Sequence, residues 1–215
     1  MTRVLAICVG SPASFRGRDK SAIAKQPLPG RVAITSAGVA GDVQVDRKHH
    51  GGPDMAVHHY PYDHHATWRA EIGDKPLLDH PGSFGSNLST IGLTENDVLL
   101  GDRFQLGTVL LEACQPRQPC WKIEHQFGTK GMVKRIMQTD RCGWFYRVIE
   151  AGEAQAGDDL VLVEPGLADW PMARLFEAIW GSSTPTDHAL LQQVAELAPL
   201  AGKLRGQLLE KIGLR

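Results

Sequence analysis

The chain has 215 residues, enough for one well-cored domain or a domain with a small appendage. Hydrophobic residues make up 42% and charged residues 22%, the proportions of an ordinary globular protein, and the formal net charge is -1. That balance provides no basic field to recruit nucleic acid or an anionic membrane, so any anionic ligand must be held by local lysines and arginines.

The apolar run Val4 to Val9 is too short for a signal-peptide core or a membrane span. It predicts a first strand, and the whole pattern predicts a cytoplasmic protein with no membrane partner. Next come glycine- and proline-broken segments, then a helix near residues 62–72. Around Asp102–Gln115 a hairpin is predicted: Phe104 and Leu106 alternate, Gly107-Thr108 turns, and Val109, Leu111 and Ala113 alternate again. A second helix is predicted near residues 129–138, where Met132 and Ile136 share a face, and a further strand over residues 160–163. Gly-Asp pairs at 41/42, 101/102 and 157/158 each precede a strand-like run and read as turns. Many short strands separated by turns point to a barrel or sandwich, so the expected class is mainly β with added helices, α+β.

After Glu164-Pro165-Gly166 the pattern becomes helical. Asp169 can cap a helix with Pro171 in its first turn, carrying Met172, Leu175, Phe176 and Ile179 and ending at Gly181. Leu190, Leu191, Val194 and Leu197 form a second apolar stripe, and Leu204, Leu208 and Ile212 a third. The expected organisation is a β domain over residues 1–164 and a three-helix unit over residues 165–215. Helices this short need packing against each other or the β domain to be stable.

Four cysteines, at 8, 114, 120 and 142, show no Cys-x-x-Cys spacing and no disulfide framework is expected. Cys8 and Cys114 lie in apolar strands and read as inert, and Cys142 leans the same way. Cys120 differs. It sits in Gln115-Pro116-Arg117-Gln118-Pro119-Cys120-Trp121-Lys122, at a strand end, with cations at Arg117 and Lys122. Nearby cations favour thiolate, the form that attacks electrophiles and ligates soft metals. Local chemistry leaves a metal ligand, a nucleophile and a persulfide carrier all open.

Other segments could support such a centre. Around His50-Gly51-Gly52-Pro53-Asp54, adjacent glycines allow close backbone approach to an anion, and Arg47 and Lys48 add charge. Asn87, in a polar glycine-containing loop, can read a heterocycle with donor and acceptor groups. The histidine pairs at 49/50, 58/59 and 64/65 suggest zinc, but neighbours on a strand point to opposite faces, so a zinc hydrolase is not favoured. Arg141 and Arg147, near the aromatics Trp144, Phe145 and Tyr146, would need a partner or a cavity.

In order along the chain, Gly30-Arg31-Val32, Gly38-Val39-Ala40-Gly41-Asp42, His50-Gly51-Gly52-Pro53-Asp54, Gly85 to Leu88, Gln115-Pro116-Arg117 with Pro119-Cys120, Gly143-Trp144, Arg147-Val148 and Gly157-Asp158 resemble the MOSC domain family in its YiiM-like branch. The resemblance covers nearly all of residues 1–164, and the helical tail is similar to that branch's extra C-terminal domain. It implies a β-barrel that binds molybdenum cofactor, with the metal ligated by a cysteine that maps onto Cys120. It implies reduction of N-hydroxylated small molecules such as hydroxylamino purines, with electrons from a partner reductase. Arg31, Arg47, Lys48, Arg117 and Lys122 become the expected cations for the cofactor's phosphate or pterin, and His50, Gly51, Gly52 and Asn87 are expected to shape its cavity. A sulfur-carrier role with a persulfide on Cys120, or a protein that only stores or delivers the cofactor, are the alternatives. Two positions depart from the family pattern: Ser86 replaces a usual glutamate, and Met55 a usual lysine.

Overall fold

The computed structural model describes residues 2–17, 19–45, 51–181 and 187–214. The strands, in chain order, are β1 (Thr2–Val9), β2 (Ala13–Arg16), β3 (Asp19–Ser21), β4 (Gln26–Pro27), β5 (Val32–Thr35), β6 (Gly38–Val39), β7 (Val57–His59), β8 (Leu88–Thr90), β9 (Arg103–Leu106), β10 (Val109–Pro116), β11 (Trp144–Glu150), β12 (Gly152–Ala154) and β13 (Asp159–Glu164). The helices are α1 (His64–Ile72), α2 (Lys122–Phe127), α3 (Met132–Thr139), α4 (Met172–Trp180), α5 (His188–Glu196) and α6 (Gly202–Lys211).

Seven strands close a barrel in the order β13-β9-β10-β11-β7-β8-β1, and pairing of β1 with β13 seals the ring. Closure leaves no long unpaired edge among these strands. The ladder is antiparallel except where β7 meets β8, His59 opposite Leu88. Those strands are joined by a long crossover through α1, as a parallel pair requires. The barrel is filled by the alternate residues the sequence pattern marks: Phe104 and Leu106 on β9, Val109, Leu111 and Ala113 on β10, and Trp144 and Tyr146 on β11. β4 adds to the end of β1, β12-β5-β6 form a small second sheet, and β2–β3 form a hairpin.

The tail does not stand apart from the barrel. Met172, Leu175, Ile179, Leu191, Val194, Leu204 and Leu208 belong to the same apolar cluster as the barrel filling. Backbone bonds join the two parts, with Leu100 N–H donating to the Trp170 carbonyl at 2.8 Å and Ala201 N–H to that of Cys114 at 3.0 Å. The N-cap of α4 is Pro171, not Asp169, and it makes no side-chain cap; Trp170 and Met172 instead bond back to the barrel loops, which holds the helix start. Gly181 ends α4, and Asp187 caps α5 by accepting from Leu190 N–H at 3.0 Å. Among the described residues, no helix is long and apolar enough to cross a membrane.

Both arginines among the aromatics are paired. The Arg147 guanidinium donates to Asp54 at 2.8 Å, to Glu112 at 3.0 Å and to the Pro199 carbonyl at 3.1 Å. Asp54 also accepts from Gly202 N–H at 2.9 Å. One ionic network therefore spans the Gly-Gly-Pro-Asp turn, the barrel wall and the first turn of α6. Arg141 makes a two-pronged contact with Glu71, at 2.7 and 2.9 Å, and lies 4.5 Å from the Trp68 ring centre.

Candidate functional site at Cys120

β10 carries a bulge between Ala113 and Gln115, then ends at Pro116 opposite Trp144. The chain leaves the sheet as Arg117 N–H donates to the Gly143 carbonyl at 2.9 Å. Gly143 has φ 70°, and a Cβ there would lie 2.3 Å from the His59 carbonyl oxygen, so only glycine permits this approach. Gln118 and Pro119 follow, and Cys120 precedes α2, its carbonyl accepting from Ile123 N–H at 3.1 Å. Cys120 is partly exposed, whereas Cys8, Cys114 and Cys142 are buried. Burial pushes the thiols of Cys8 and Cys114 up to about 12, and that of Cys142 well above its ordinary value.

Cys120 lines a cleft at one end of the barrel. Three other residues expected from sequence line it too: Asn87, Arg117 and Lys122. Arg31 is not among them; it is exposed on another face, 3.7 Å from Asp158 and within 3.4 Å of the Glu153 carbonyl. Gly51 and Gly52 do not line the cleft; Gly52, at φ 110°, starts the short 3-10 turn Pro53–Met55, and Met55 does reach the cleft. Arg47, Lys48 and His50 lie outside the described residues. Ser86 is buried and is not part of the lining.

The cleft also gathers Lys25, Asp42 and His58. Sequence reading marks Asp42 as a turn residue inside the family motif, discounts His58 as half of a zinc-like pair, and passes over Lys25. Asp42 is the junction. Its carboxylate accepts from Gly10 N–H at 2.8 Å, from the Asn87 amide at 3.0 Å and from the Lys25 ammonium, which is nearly buried. Burial holds the Lys25 ammonium below its ordinary value, against the pull of Asp42. Asn87 is locked on every side: its side-chain oxygen accepts from His58 N–H at 3.1 Å, and its amide also donates to the Cys8 carbonyl at 3.1 Å.

The histidine pair on β7 splits as strand geometry demands. His59 faces the barrel interior, its Nε2 2.9 Å from Thr90 Oγ1 and its Nδ1 3.2 Å from the Tyr146 hydroxyl. His58 faces the cleft, with Nδ1 3.0 Å from the Gly85 carbonyl. A carbonyl can only accept, so Nδ1 carries the proton and Nε2 is an acceptor. Burial first, then the Arg117 charge, hold His58 well below its ordinary value, and it stays neutral. His64 and His65, on α1, bond to Glu95 and to the Leu78 carbonyl instead.

Among the described residues, two buried polar atoms at this cleft have no partner: His58 Nε2, an acceptor, and Arg117 Nη1, a donor. Arg117 is only 8% exposed, so this charge is held away from water with part of its donor capacity unused. Such an arrangement suits a polar, anionic ligand. A second cavity adjoins the first, and Met55, Arg117, Cys120 and Phe145 border both.

The MOSC domain pattern matches residues 46–161 of the chain. Protein YiiM of Escherichia coli is 41% identical over 143 residues, which is 66% of this chain and 64% of that protein. A Gibberella moniliformis protein named "Reductase" is 38% identical over 164 residues, 76% of this chain but 29% of its own length. The crystal structure of YiiM from Geobacillus stearothermophilus superposes with a TM-score of 0.81 at 30% identity, covering 99% of this chain and 100% of that one. With its closed barrel and a cysteine-bearing cleft at one end, the chain belongs to the MOSC domain family.

Proposed function

We propose that the cleft holds molybdenum cofactor, with Cys120 as protein ligand to the metal, and that the protein reduces N-hydroxylated compounds such as hydroxylamino purines. The observation that carries this reading is the contrast among the thiols. Only Cys120 is partly exposed, and it lies in a cleft with Lys25, Arg117 and Lys122. A cysteine sulfur is a soft donor and suits a soft metal.

The residues present fit the group. Arg117 and Lys122 supply positive charge for a phosphate, Lys25 being paired with Asp42, while the His58 acceptor and Arg117 donor left unpaired among the described residues suit a pterin's ring edge. Asn87, fixed by Asp42 and His58, shapes the floor. When bound, the cofactor supplies two-electron redox chemistry that no side chain offers. The net change is cleavage of the N–O bond of R–NHOH by two electrons and two protons, giving R–NH2 and water. The electrons come from a partner reductase; the Gibberella relative, named a reductase, extends well beyond the segment that matches this chain.

Turnover tests the reading. Protein expressed in cells that make the cofactor is given a hydroxylamino purine and a chemically reduced viologen. Release of the amino purine, lost in Cys120→Ala, is expected. A sulfur atom added to Cys120 in the intact mass, without amino purine release, would assign the site to sulfur transfer instead.

A further inference from the structure

The second cavity lies on the tail side of Cys120. Its far wall comes from the helical tail: Trp180 at the end of α4, and Lys203, Leu204 and Gln207 on α6. Its near wall is the segment Gln115–Cys120 with Met55 and Phe145. Cys120 is thus reachable from two directions, and only one of them is the cleft that carries Lys25, Asp42 and Asn87.

We propose that this second cavity is the substrate subsite, taking a planar, nitrogen-rich heterocycle with its N-hydroxyl group toward Cys120. The inference rests on the reading of the first cleft as the cofactor site. Three features argue for that ligand class. Phe145 and Trp180 offer aromatic surface for a flat ring, with Met55 and Leu204 as further apolar wall. Gln115, Gln118 and Gln207 each carry a donor and an acceptor, the combination a ring with both nitrogens and exocyclic N–H requires. The charges in the lining are Arg117 and Lys203, with no carboxylate among the described lining residues, which disfavours a cationic ligand. Arg117, buried and with one donor unpaired among the described residues, borders this cavity as well as the first. In this arrangement the tail selects the substrate while the barrel holds the redox group.

Lys203 and Gln207 are exposed and one helical turn apart on α6, so they present side chains to the same face, and substitution there leaves the core intact. Gln207→Trp places bulk in the cavity. Three quantities are measured on wild type and variant, purified from cofactor-making cells: molybdenum per chain, the dissociation constant for N6-hydroxyadenine by calorimetry, and KM for the same compound. Gln207→Trp is expected to keep wild-type molybdenum while weakening binding and raising KM by about ten-fold or more. The milder Lys203→Ala/Gln207→Ala pair is expected to shift both in the same direction by a smaller factor. Unchanged binding in Gln207→Trp, no calorimetric binding to wild type, or loss of molybdenum from Gln207→Trp would each overturn the subsite. Failure of the cofactor reading registers separately, as wild type without molybdenum, and the calorimetric comparison remains readable in that case.

Discussion

At the scale of single residues, four identical thiols are sorted by their surroundings. Cys114 Sγ lies 3.1 Å from the Asp54 carbonyl and Cys142 Sγ 3.1 Å from that of Gly143, each buried in packed structure. Desolvation disfavours their thiolates, so they are poor nucleophiles and poor ligands. Brief treatment of the native protein with iodoacetamide should therefore modify Cys120 alone, and native Cys120→Ala should take up no label until unfolded; rapid labelling of a second cysteine, read by peptide mass, would contradict this ordering. That Cys120, Arg117 and Lys122 line one cleft was legible in sequence because they are near neighbours along the chain. Lys25, Asp42 and His58 were not expected as site residues, because they are brought to it from far away in sequence, Lys25 by β1–β4 pairing, Asp42 by its bond from Gly10 N–H and His58 by the β7–β11 ladder. A lysine near the N-terminus has no local mark that it will be buried against an aspartate. Arg31 shows the converse: a cation inside a family motif that folding directs to Asp158 rather than to the cleft.

At the scale of elements, strongly patterned segments were readable and short polar ones were not. β9 and the first half of β10 mark one face with Phe104, Leu106, Val109, Leu111 and Ala113, and α4 to α6 carry apolar stripes at helical spacing, so period identifies them. α2 (Lys122–Phe127) has only Ile123 and Phe127 as buried anchors and escaped notice, as did β5, β6 and β12, whose pairing is dictated by the barrel beside them. On α6 the exposed positions Lys203 and Gln207 line the second cavity while Leu204 and Leu208 are buried. Leu208→Ala should destabilise the protein by roughly 2–5 kcal/mol, the cost of deleting a well-packed leucine side chain. Chemical denaturation monitored by circular dichroism measures this; a loss below about 0.5 kcal/mol would mean that α6 does not pack as described.

At the scale of the whole molecule, barrel and tail share one apolar cluster and one ionic network, and buried neutral histidines tie stability to pH. Burial holds His59 down to about 3 and His65 to about 4, and His58 lies well below its ordinary 6.5. As pH falls below about 6.5 the unfolded chain takes up protons at these positions before the folded chain does. The unfolded state is then favoured, and each such histidine removes about 1.4 kcal/mol of stability per pH unit until its folded value is reached. Denaturant midpoints should fall between pH 6.5 and 5, and His59→Gln should flatten that slope; a midpoint constant or rising across this range would contradict the burial of neutral histidines.

The claim on which the functional account depends is that Cys120 ligates molybdenum. Its most direct test is the molybdenum content of protein purified from cofactor-making cells, wild type beside Cys120→Ala, with folding verified by circular dichroism. The account predicts molybdenum bound to wild type and largely lost from a folded Cys120→Ala protein. Equal molybdenum in the two would contradict it.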